Sequence, residues 1–303
     1  MQFIKKVPIP AAGVMLGAAA LGNLLQSCGE GIRSVCGVLA AFLLVLLLLK
    51  LFCFPAAVRE DMQNPITAGV SATFPMALML LSTYILPFAG AAARLVWWFA
   101  VALHVVLIVW FTLKFVRNFD LKKVTTVFFI LYVGIVVASV TAPAYGRGAD
   151  VGTVAFWFGF AALLILLFVV TKRYQTLPVP EPAMPLICVY AAPTSLCVAG
   201  YVQSVMPKSF AMLAFLLALA LLTYVFALVR SFSMLKLPFY PSYAAFTFPF
   251  VISAIAFKQG ASCAAKLGHA LPLAPYLVLT ATLIAVVFVV YTYFRFMKFI
   301  FSK

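Results

Sequence analysis

Charged side chains are scarce in this sequence: 9% of its 303 residues are Asp, Glu, Lys or Arg, and only six are acidic. Beside 66% hydrophobic residues, that leaves too little polar surface to cover a water-facing globule, so the solvent must be lipid. All six carboxylates (Glu30, Glu60, Asp61, Asp120, Asp150 and Glu181) fall in or beside expected loops. No acid is therefore expected at membrane depth to relay a proton or hold sodium. The same lack removes the acid clusters with which a membrane-embedded transferase holds magnesium and a diphosphate. Histidine is nearly absent too: His104 lies in an apolar stretch and reads as a packing residue, and His269 lies in a loop. The six cysteines show no metal-ligand spacing; Cys28 and Cys263 fall on the same expected side and can pair, but the plainer reading leaves them unpaired. Hydroxyls such as Ser71, Thr194, Ser195 and Ser253 have no neighbouring base to activate them. Catalysis, a metal and a cofactor are all unexpected.

What the chain has is apolar length. Ten stretches near membrane-crossing length, about 20 residues, divide it from end to end and alternate in kind. The even ones contain Val38 to Leu49, Leu95 to Phe115, Phe156 to Val170, Phe210 to Leu228 and Leu277 to Tyr293, with Leu, Val, Phe and Ile on all sides. The odd ones, Pro10 to Leu25, Thr67 to Phe88, Val124 to Ala142, Pro185 to Gln203 and Tyr240 to Phe257, are interrupted by Pro, Gly, Ser or Thr. A proline removes a backbone N–H and frees a carbonyl that lipid cannot satisfy, so such helices are stable only against protein or a wet cavity. The expected fold is all-α and integral to the membrane, a single domain over 1–303 with ten transmembrane helices in five hairpins. Odd helices form an inner ring around a pore, and even helices an outer ring facing acyl chains and neighbouring subunits.

Basic residues fix the orientation, since Lys and Arg beside spans stay on the cytoplasmic side. Fifteen of the 21, among them Lys50, Arg117, Lys172, Arg230 and Lys303, fall at the N-terminus or after even stretches. Six (Arg33, Arg94, Arg147, Lys208, Lys258 and Lys266) fall on the opposite side, so both termini are expected in the cytoplasm. The net charge of +15 is mostly this topology signal; it leaves a nucleic-acid partner nothing to explain and suits membrane lipids with anionic headgroups. After Lys5, Lys6 and an apolar run, Leu25-Gln26-Ser27-Cys28 has the outline of a leader ending in a lipoprotein cleavage site. Gln26 is off-pattern and Pro8 and Pro10 open the segment, so the first span is expected to stay.

Thr73-Phe74-Pro75 recurs as Thr247-Phe248-Pro249, 174 residues on, or three units of 58, which fits a helix hairpin repeated five times. Pro10 and Pro193 enter the first and seventh stretches in corresponding places, whereas the fifth has Gly134 and no proline before Pro143. Repeats line transport pathways with equivalent elements. The expected lining or kink positions are Pro10, Gly17, Phe74, Pro75, Gly134, Pro193, Thr247 and Pro249, with Gly13 to Gly17 a close-approach pattern. Without an acidic ring, and with basic residues at both mouths, the field favours anions. Half-helix N-termini are expected to add free N–H groups to the lumen. A pore with no fixed interior charge selects by desolvation, so large, weakly hydrated anions should pass best.

Residues Pro8 to Asn23 (Pro-Ile-Pro-Ala-Ala-Gly-Val-Met-Leu-Gly-Ala-Ala-Ala-Leu-Gly-Asn) resemble the first span of the tellurite-resistance/dicarboxylate transporter family. Tyr243-Ala244-Ala245-Phe246-Thr247-Phe248-Pro249 resembles its ninth. The likeness covers the whole length in topology and the first, third, seventh and ninth spans at residue level. It implies ten helices in five hairpins, a homotrimer with one pore per subunit in the inner or plasma membrane, and a phenylalanine on the ninth helix that plugs the pore midway. The match falls on Phe248, with Phe74 the weaker candidate for a second obstruction. The implied activity is a gated passive channel for small inorganic anions, without a cofactor. The alternative is a secondary transporter or exporter of small anions, such as C4-dicarboxylate, sulfite or tellurite-related species.

Overall fold

Where the sequence is uninterrupted the backbone runs as long α-helix, and where it is punctuated the helix starts again. The computed structural model describes residues 2–302, so Lys303 lies outside the described residues. Its ten main helices are α1 (Ala11–Leu25), α2 (Glu30–Cys53), α3 (Thr73–Ile85), α4 (Gly90–Phe111), α5 (Val136–Thr141), α6 (Thr153–Thr176), α7 (Ala191–Ser204), α8 (Phe210–Met234), α9 (Phe248–Lys266) and α10 (Ala274–Phe301). There is no strand among the described residues. Among the described residues, nine helical segments are long and apolar enough to cross a membrane. The fifth stretch, Phe129–Tyr145, is shorter. It opens with a π-helical turn at Phe129–Val133, breaks at Gly134, and resumes as α5 for six residues. Lacking a proline, this segment is broken by the extra residue of the π turn.

Three other odd helices follow a lead of their own, which at α7 runs straight into the helix. Pro65–Val70 precedes α3, a ten-residue 3-10 helix at Glu181–Tyr190 precedes α7, and a 3-10 turn at Pro241–Phe246 precedes α9. Pro75, Pro193 and Pro249 all sit in the first turn of the helix that follows, where a missing N–H has no intrahelical bond to lose. Short-range bonds close these junctions: Ala11 donates to Pro8 O at 2.9 Å, Phe74 to Ser71 O at 2.9 Å, and Thr247 to Ala244 O at 3.2 Å. Ala191 likewise donates back to Cys188 O and Val189 O. Short-range turns thus take up several of the N–H groups that half-helix ends were expected to leave free, those of Ala11, Phe74, Ala191 and Thr247 among them.

Burial separates the two kinds of segment. Within the most apolar eighteen residues of each, 72–89% are buried in the segments of α1, α3, α7 and α9, against 17–39% in those of α2, α4, α6, α8 and α10. The even helices leave large apolar side chains such as Phe52, Leu95, Phe168 and Phe294 exposed, a surface suited to acyl chains. The chain is thus built as a multi-pass membrane protein. Its two ends meet: Lys6 Nζ donates to Ser302 O at 3.1 Å, and the Phe3 and Phe301 rings lie 5.5 Å apart. Buried Lys50 on α2 holds the approach to α1, donating to Val7 O at 2.8 Å and pairing with Asp61 at 2.7 Å.

Candidate functional site

Two cavities lie between the odd segments. The first, about 300 Å3, is lined from the start of each, by residues such as Pro10, Thr73, Gly134, Pro193 and Pro249. The second, about 800 Å3, is lined from their far ends, by residues such as Asn23, Thr83, Pro143, Gln203 and Lys258. Since every odd segment gives its start to one cavity and its end to the other, all five run the same way, side by side. Leu196 and Phe248 are the two residues that line both cavities. Leu196, on α7, is 2% exposed and Phe248, the first residue of α9, is 6% exposed. Both side chains stand where the two cavities adjoin.

Local backbone explains why Phe248 is there. Thr247 has φ −97° and ψ −90°, outside the helical region, so the chain changes direction immediately before Phe248. The Thr247 hydroxyl donates to Gly13 O at 3.0 Å and to Ala244 O at 2.7 Å, seating the break on α1. Gly17 makes room for it: a Cβ there would stand 2.5 Å from Thr247 Cβ and 3.0 Å from Phe248 N. In the sister tripeptide the break falls earlier, at Ser71–Ala72. Phe74 is thereby packed against the core, and Thr73 and Met76 face the first cavity instead. Of the positions expected from sequence, Pro10, Gly134, Pro193, Phe248 and Pro249 line a cavity, whereas Gly17, Phe74, Pro75 and Thr247 line neither. Gly17 and Thr247 act by position. Leu196 was not legible, being one leucine among many.

Hydroxyls on the odd segments are spent within the protein. Ser195 Oγ and Ser253 Oγ lie 2.8 Å apart and tie α7 to α9, and Thr194 Oγ1 meets Thr223 Oγ1 of α8 at 2.7 Å. Ser71 Oγ donates to Ala68 O at 2.7 Å. His104 is fully buried with Nε2 2.8 Å from Leu131 O, and a Cβ on Gly134 would come within 3.2 Å of its ring. It fastens α4 to the fifth segment. Cys28 and Cys263 are both free thiols.

Charge is distributed unevenly along the path. Arg33, Lys208, Lys258 and Lys266 line the second cavity with no carboxylate among its walls, and no charged side chain lines the first. Lys258 Nζ donates to Ser27 Oγ at 2.8 Å, leaving its charge without an acidic partner. Lys208 donates to Tyr201 O at 2.8 Å and to Val205 O, and burial pushes its ammonium pKa below the ordinary value. Arg33 is held by Asn23 Oδ1 at 3.2 Å and by Glu30 at 3.6 Å. Among the described residues no group of three His, Cys, Asp or Glu side chains is placed to hold a metal. The arrangement can concentrate an anion in the basic cavity, with apolar Leu196 and Phe248 at its border with the neutral one.

Set beside known protein families, residues 6–297 match the one described as voltage-dependent anion channel. No curated protein sequence matches the chain.

Proposed function

Because the chain belongs to the voltage-dependent anion channel family, which is the tellurite-resistance/dicarboxylate transporter family, we propose that it is a gated passive channel for small inorganic anions, closed midway by Phe248 against Leu196. The observation that carries this reading is a pair of cavities that meet at those two side chains. Odd segments form an inner ring around the path, and even helices, joined to them in five hairpins, shield that ring from lipid. Three copies assemble in the inner or plasma membrane, each with its own pore. The basic cavity opens to the outside and the neutral one to the cytoplasm, following the distribution of Lys and Arg. The partition offers no fixed charge to replace lost hydration, so weakly hydrated anions cross most easily.

Purified protein in a planar bilayer tests the activity. A passive channel gives a reversal potential that follows the anion gradient alone. A reversal potential that moves with pH or sodium at a fixed anion gradient would replace it with a coupled carrier of small anions.

Neutralising the outer funnel has a calculable effect. A unit charge about 10 Å away contributes about 0.4 kcal/mol in water and more where protein and lipid lower the dielectric. Lys258→Gln combined with Lys266→Gln is therefore expected to cut anion conductance about two- to fivefold at low salt. The loss should vanish in molar salt, where the screening length is about 3 Å. A loss of equal size at all ionic strengths would mean these lysines act through structure instead.

A further inference from the structure

A third cavity, about 500 Å3, lies away from the path, between α6, the 3-10 lead of α7, and α8. Exposed Leu222 and Phe226 at its rim open it sideways, toward the acyl chains. Its inner wall is the 3-10 helix Glu181–Tyr190, which turns once every three residues. Ala183, Leu186 and Val189 face the first pore cavity, while Met184, Ile187 and Tyr190 face the groove. One helix thickness separates lipid side from pore side, and the helix continues into α7, which carries Leu196.

The groove has an apolar end and a cationic end. Leu167, Ile187 and Leu222 line the deep part, and Gln175 and Arg230 lie toward the C-terminal ends of α6 and α8. From Leu222 to Arg230 the helix rises about 12 Å, close to the hydrocarbon depth of one leaflet, about 15 Å. The Thr171 and Tyr190 hydroxyls meet at 3.1 Å, so the polar atoms at mid-depth satisfy each other. Arg230 takes part in none of the ion pairs among the described residues, and no carboxylate lines the groove. A cation at leaflet depth above an apolar slot is complementary to a lipid phosphate above its acyl chain.

We infer that this groove holds an anionic phospholipid of the cytoplasmic leaflet, with its phosphate on Arg230 and a chain against Ile187 and Leu222, and that the bound lipid biases the pore through the shared 3-10 wall. The effect on the pore rests on the channel reading above; the binding does not. The test uses full-length protein equilibrated with mixed phosphatidylglycerol and phosphatidylcholine, with bound lipid read by native mass spectrometry. Phosphatidylglycerol should be retained preferentially. Arg230→Gln should lower that retention about fivefold, the worth of one arginine at a membrane surface. Leu222→Trp, at an exposed position, should lower it by filling the groove with the charge intact. In vesicles carrying Phe248→Ala to hold the path open, phosphatidylglycerol should change anion flux, and adding Arg230→Gln should abolish the specific part of that change. Equal retention in all three proteins overturns the site. A changed oligomeric state in place of lost lipid overturns it as well, and assigns the groove to a second copy of the chain. Lipid lost without any effect on flux overturns the coupling to the pore. Absence of flux in every variant counts against the channel itself, with the retention measurement still deciding the site.

Discussion

Phe248→Ala is expected to raise anion conductance about tenfold or more, equivalent to removing at least about 1.4 kcal/mol from the permeation barrier. The reason is geometric: Phe248 and Leu196 are the two side chains common to the walls of both cavities. Truncating the larger of them merges two spaces of about 300 and 800 Å3 into one. Current through a planar bilayer, corrected for the amount of inserted protein, is the measurement. Phe74→Ala is the matched control, because it alters the same tripeptide at a residue that lines neither cavity. It should leave conductance unchanged. Equal currents for wild type and Phe248→Ala, with normal insertion, would remove the gate from the proposal.

Gly17→Val should produce the largest change that comes from outside the path. A Cβ at Gly17 would lie 2.5 Å from Thr247 Cβ and 3.0 Å from the backbone nitrogen of Phe248. Backbone cannot yield as a flexible side chain can, so the break in α9 has to move. Overpacking of this kind costs about 1–3 kcal/mol, visible as a lowered midpoint of thermal unfolding. The displacement also carries Phe248 away from Leu196, so the surviving folded protein should leak anions. Gly31→Ala supplies the contrast, since nothing lies within 4 Å of a Cβ built there. An unfolding midpoint and resting current like those of wild type in Gly17→Val would show that the break does not depend on this seat.

Alternation was the legible part. Mean hydropathy is 2.2–2.8 in the even spans and 1.2–1.6 in the odd spans that qualify, so the sequence already separates helices that tolerate lipid from those that avoid it. Prolines marked where odd helices restart, because only a first turn accepts them without a lost bond. Side-chain direction was not legible. Thr73-Phe74-Pro75 and Thr247-Phe248-Pro249 are identical, yet Phe248 lines both cavities and Phe74 neither, as one chain turns at Ser71–Ala72 and the other at Thr247. A tripeptide does not encode the register of the break before it. Leu196 was hidden for a related reason, as its importance comes from what stands opposite. The two-faced 3-10 helix before α7 was hidden too, since a period of three over ten residues resembles an ordinary apolar run.

The bond between Ser195 and Ser253 constrains how the proposed gate can move. These hydroxyls, both fully buried, link α7 and α9, the helices that carry Leu196 and Phe248, and a buried bond is costly to leave unmade. In a gate at Phe248, opening by spreading the two helices apart would rupture that link each time. A ring swinging about its own side-chain torsion leaves it whole. Under the proposed gating, α7 and α9 stay still while the Phe248 ring turns, as a shutter works within a fixed frame.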